Sequence, residues 1–210
     1  MAAVEMGAVK KTLAVVLVMG VMAILAACTP ARYVQVNGFA DAARAGALTA
    51  GVPICVLPNE GAQNPLFDRE IAGKLGEALK RKGYLLADLG GARFALRFSY
   101  GVGQGLTWID GLPLTAPRTG TEGEAYVPPS PLLNYVPVVR TEYDRWLRLI
   151  LLEAAAAREG RRDGVVWYGE AVSSGPGRDL RSLMDGLIAA LMTEFGRDTG
   201  RAVEKRIPRD

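Results

Sequence analysis

The residues of this 210-residue chain best placed to do chemistry are two thiols, Cys28 and Cys55. A cysteine or serine nucleophile needs a base to activate it, and histidine is the common one. The chain contains no histidine. That removes Ser-His-Asp and Cys-His catalysis, histidine-ligated zinc and imidazole pH switching together. Cys55 lies in the apolar run VPICVL, residues 52–57, and reads as a small buried hydrophobe. The segment SSGPG at 173–177 lacks the Gly-x-Ser-x-Gly elbow, and no spacing supports a Ser-Lys pair with Lys74, Lys80 or Lys82. The segment GVGQG at 101–105 fits neither the dinucleotide fingerprint nor a P-loop. Asp68, Glu70, Glu77, Asp88, Asp110, Glu142, Asp144, Glu153 and Glu170 are scattered, with no acid/base pair in their spacing. The expectation is a chain with no catalytic residue, no metal set and no cofactor.

Cys28 is a different matter. It closes an apolar run, residues 12–27, that follows Lys10 and Lys11. A basic start, a short hydrophobic core and small residues before a cleavage point make a secretory signal, and the run is shorter than the roughly 20 apolar residues of a spanning helix. The sequence Leu25-Ala26-Ala27-Cys28 resembles the lipobox of bacterial lipoproteins. That resemblance implies lipidation of the Cys28 sulfur and a membrane held through this anchor. Stable attachment needs more than one acyl chain. Thr29 stands where inner-membrane retention in this class uses Asp. The implied address is therefore the cell outer membrane, periplasmic side, with the inner membrane as the alternative.

Processing before Cys28 leaves 183 residues, enough for one domain with a real core. Without Lys10, Lys11 and Glu5, 23 basic residues face 21 acidic ones, a net charge of +2. That balance gives no reason to expect nucleic acid. Cys55 then has no partner, so no internal disulfide is expected.

The elements that would position any site follow from periodicity. Residues 33–39 alternate loosely, 40–51 read as a loop, and 54–57 as a short strand between prolines. Pro65 opens a helix whose apolar face is Phe67, Ile71, Leu75 and Leu79, with Lys80, Arg81 and Lys82 in its last turn and Gly83 as its stop. Residues 84–87 are a short extended segment, and 92–100 alternate as a half-buried strand. Residues 101–138 hold six glycines and six prolines and read as a long insertion without regular structure. The segment 146–157 supports both a helix by propensity and a strand buried on both faces. Residues 158–164 read as a turn and 165–168 as a strand. Asp179 caps a second amphipathic helix carrying Leu183, Leu187, Ile188, Leu191, Met192 and Phe195.

The domain plan is thus a signal at 1–27, a lipidated tether at 28–32, one domain at 33–197 with the insertion 101–138, and a basic tail at 198–210. Within the insertion, Trp108, Tyr126 and Tyr135 are the binding candidates, since aromatic rings combine contact area with polar handles.

The order of elements, the helix ending Lys82-Gly83-Tyr84, the strand into Ser99-Tyr100-Gly101 and the strand Val166-Trp167-Tyr168-Gly169-Glu170-Ala171 before the last helix resemble bacterial envelope lipoproteins of the domain-of-unknown-function 4136 type. The match runs over about residues 33–197. It implies an α+β fold, a two-layer αβ sandwich whose mostly antiparallel sheet has two helices packed on one face, and it favours strand for 146–156. It supplies no catalytic residues. The expected role is a non-enzymatic binding or envelope-assembly module for an envelope protein or a lipid. A lipid or glycolipid carrier is the alternative, and a hydrolase a more distant one.

Overall fold

The structure is a computed structural model that describes residues 32–59, 61–113, 135–161 and 163–207. Its main body spans Tyr33–Lys205. The strands are β1 (Arg32–Ala40), β2 (Pro53–Val56), β3 (Leu85–Leu86), β4 (Phe94–Val102), β5 (Leu106–Pro113), β6 (Tyr135–Glu153), β7 (Val165–Gly175) and β8 (Val203–Ile207). The helices are α1 (Ala42–Ala45), α2 (Pro65–Arg81), α3 (Ala154–Arg158) and α4 (Met184–Glu194). The strand order is β3-β2-β4-β6-β7-β1-β8, with β5 paired to β6 off this path. Antiparallel ladders join β4, β6, β7 and β1, while β2 is parallel to both β3 and β4. The fold is the α+β sandwich the sequence implies.

The long helix forms where its signals put it. Asn64 accepts hydrogen bonds from Leu66 N and Phe67 N, Pro65 occupies the first turn, and Ile71, Leu75 and Leu79 are fully buried. Asp179 accepts from Arg181 N at 3.0 Å and Ser182 N at 3.3 Å, and a single 3₁₀ turn leads into α4. Lys74 bridges the two helices, reaching Glu70 at 3.1 Å and Asp185 at 2.9 Å. Both helices cover one face of the sheet. Leu96, Leu147, Leu149, Leu151, Trp167 and Leu187 fill the layer between and have no exposure. Trp167 donates from Nε1 to the Arg197 carbonyl at 2.9 Å and packs on Phe195. A smaller cluster of Ala95, Leu152 and Ala157, with Leu57, Leu89, Ile150 and Val165 against it, lies where α3 folds back.

Four expectations are corrected. The segment 146–157 is strand to Glu153 and helix only over Ala154–Arg158. The insertion 101–138 is not structureless: β4 runs to Val102, and Leu106–Pro113 pairs with the first half of β6. Its glycines and prolines misled because a two-stranded ribbon has free edges, where a proline costs no ladder bond. The loop 40–51 contains α1, and the tail 198–210 contains β8. Cys28, Tyr126 and the signal at 1–27 lie outside the described residues.

Candidate functional site

The first half of β6 and the whole of β5 form the ribbon, Leu106 opposite Glu142 through Pro113 opposite Tyr135. Two of the aromatic candidates lie on it but apart: Trp108 stands opposite Arg140, and Tyr135 opens β6 five positions away, opposite Pro113. Trp108 donates from Nε1 to Asp110 Oδ2 at 3.3 Å, and Arg140 pairs with the same oxygen at 3.0 Å. Thr107 and Thr141 hydroxyls are 3.0 Å apart.

The second half of β6 crosses the body. Its odd residues Arg145, Leu147, Leu149 and Leu151 are buried on the helix side. Its even residues point to the other face, because side chains alternate along a strand. Register aligns Trp146 with Val172, Arg148 with Glu170 and Ile150 with Tyr168, and β1 adds Asn37 beside Glu170 and Phe39 beside Tyr168. No helix among those described covers the middle of this face. Arg148 is its centre. Its Nε donates to Glu170 Oε1 at 2.6 Å, and its Cζ lies 4.3 Å from the Trp146 ring centroid. The bond to Glu170 holds the guanidinium above its ordinary range. Burial, then the Glu170 charge, pushes the Tyr168 phenol up. Phe39 stacks obliquely on Tyr168 at 6.0 Å and is 60% exposed, and Tyr33 on the same strand is 55% exposed.

Gly101 explains itself here. A Cβ on it would stand 2.7 Å from Trp146 Cζ2, so the glycine is the seat of the indole. The first glycine of GVGQG thus lies within β4 and helps to build this face. The sequence reading missed Trp146, Arg148, Tyr168 and Glu170 as a group. Their signal was the alternation along 146–151, which helix propensity obscured.

On the helix side, at the end of the sheet where β4 reaches Val102, a cavity of about 510 Å³ is lined by Asn59, Gln63, Asn64, Phe67, Tyr100 and Arg178 among others. Beside it Asp68 is buried and accepts from Asn59 N at 3.3 Å through Oδ2. Asp68 Oδ1 and the Tyr100 hydroxyl have no hydrogen-bond partner among the described residues. Burial, then the Asp68 charge, raises the Tyr100 phenol. No group of three or more metal-ligating side chains occurs among the described residues.

No known sequence family matches the chain, and no curated protein matches it. It is similar to solved structures at low identity. A DUF4136 family protein from Bacteroides thetaiotaomicron is 15% identical over 76% of this chain and 94% of that one, with a TM-score of 0.42. The PelC dodecamer from Paraburkholderia phytofirmans is 15% identical over 79% of this chain and 98% of that one, at 0.41. A PDZ domain protein from Parabacteroides distasonis is 12% identical over 86% of this chain and 40% of that one, at 0.42. The family whose motifs the sequence resembles is thus among the structures the chain is similar to. These likenesses carry no function to it.

Proposed function

We propose that this chain is a lipid-anchored, non-enzymatic module of the bacterial outer membrane, facing the periplasm, that binds an envelope partner through the uncovered face of its sheet. The observation that carries the reading is that face itself. It gathers Phe39, Trp146, Arg148, Tyr168 and Glu170 opposite a layer already occupied by α2 and α4. Aromatic rings beside a paired arginine are the composition of an interface centre, where Trp, Tyr and Arg supply most of the binding free energy. The lipobox at Cys28 supports the anchoring half of the reading, and Thr29 supports the outer membrane.

The filled layer between sheet and helices counts against a carrier. An acyl chain needs an apolar cavity, and the leucines lining that space have no exposure. A crosslinking pull-down from native membranes tests the proposal, with Cys28→Ser as the unanchored control. A recurrent envelope protein lost on Arg148→Ala supports it. Co-purifying lipid in place of a protein refutes it in favour of the carrier.

A further inference from the structure

We propose that the β5–β6 ribbon lies in the interfacial layer of the bilayer that holds the Cys28 anchor. This inference rests on the anchoring reading above.

Strand register places the ribbon. Gln35, Val172, Trp146 and Gly101 form one row across β1, β7, β6 and β4. Two residues further, Ser174 pairs with Asp144, and Tyr33 falls in the same row. Beyond that row β6 leaves the body, and its residues pair with β5. The ribbon therefore departs from the end of the sheet at which the chain enters β1. Two strand spacings separate them, about 10 Å.

Length then decides. Tyr33 is five residue steps from Cys28, and a fully extended chain covers at most about 18 Å over that interval. The ribbon has eight residue pairs, and at about 3.3 Å per residue it reaches roughly 25 Å beyond the sheet. A sulfur fixed in the membrane thus holds Tyr33 nearer to the surface than the ribbon is long.

The ribbon's side chains suit that position. Ile109 and Val139 face each other on one side, 70% and 66% exposed. Leu106 and Trp108 lie on the opposite side, with Arg140 across from the indole. A protein groove covers one side of a ribbon, whereas a lipid interface surrounds it. Tryptophan is favoured at the headgroup level, where its ring is buried and its N–H stays wet. Asp110 is paired with Arg140, and Glu142 sits at the ribbon's base, farthest from the tip. An isolated two-stranded ribbon is marginal in water, so apolar contact also stabilises it.

The test uses the full chain, expressed with lipoprotein processing and reconstituted into phosphatidylethanolamine/phosphatidylglycerol vesicles carrying brominated acyl chains. Acylation is read by mass spectrometry. The chain has three tryptophans, and Trp167 is fully buried. The expected result is loss of roughly a third of the emission, as for one interfacial indole of three, with that loss absent in Trp108→Phe. Ile109→Asp, which leaves the fluorophores in place, should reduce the quenching at least twofold. Acylated protein with no quenching, or equal quenching in Trp108→Phe, overturns the ribbon proposal and leaves the anchor standing. A chain without acyl groups overturns both.

Discussion

Gly169→Ala is the substitution whose effect is most directly worked from the packing. Gly169 faces the helices on β7, two residues after Trp167, and the indole lies across it. A methyl there would stand 2.5 Å from Trp167 Cζ2, inside van der Waals contact. The ring has nowhere to go, because Trp167 is fully buried against Phe195. Overpacking of this kind costs about 1–3 kcal/mol. Moving the indole also breaks its part-buried bond to the Arg197 carbonyl, worth about 0.5–1.5 kcal/mol more. The expected loss is about 1.5–4.5 kcal/mol. For a domain of this size that lowers Tm by about 3–18 °C. Gly73→Ala is the matched control, since nothing lies within 4 Å of its added Cβ on the exposed side of α2. It should stabilise by about 0.5–1 kcal/mol. Urea unfolding followed by circular dichroism reads both. A Gly169→Ala protein within about 0.5 kcal/mol of the parent would refute the seating of Trp167 described here.

Three further outcomes are expected. Asn64→Ala removes the acceptor for two amides at the start of α2 and should cost about 0.5–2 kcal/mol in the same assay. The hydrogen bond from Lys205 holds the Glu194 carboxyl below its ordinary range. A lowered folded-state value contributes stability above the unfolded value of about 4.3 and loses it as pH falls through the folded one. Glu194→Gln should therefore cost up to about 1 kcal/mol at pH 7 and nothing in strong acid, and a pH-independent difference would contradict the assignment. Burial, then the Asp88 charge, pushes the Cys55 thiol up, so its maleimide labelling at pH 7 should be several-fold slower than that of a free peptide thiol. Labelling at the peptide rate would contradict that burial.

Legibility in the sequence followed how local each signal was. Helix α2 could be read at both ends, because Pro65 and the Lys82-Gly83 stop act within one turn of their own positions. The change from strand to helix at Glu153 could not. Leucines at 147, 149 and 151 satisfy strand alternation, while the alanines that follow satisfy helix propensity, and only pairing with β4 and β7 decides between them. The open face was hidden for the same reason. Phe39, Arg148 and Tyr168 are distant in sequence and meet only through two registers. The ribbon was concealed by composition, since Pro113 and Pro137 read as breakers yet sit in paired strands.

The central claim is that the uncovered sheet face binds. Photocrosslinking in the native host tests it most directly, with a photoreactive residue placed at Tyr168 on that face and, separately, at the exposed Lys80 on α2. A discrete adduct from position 168, absent from position 80, is the predicted result. The same adducts from both positions, or none from 168, would contradict it.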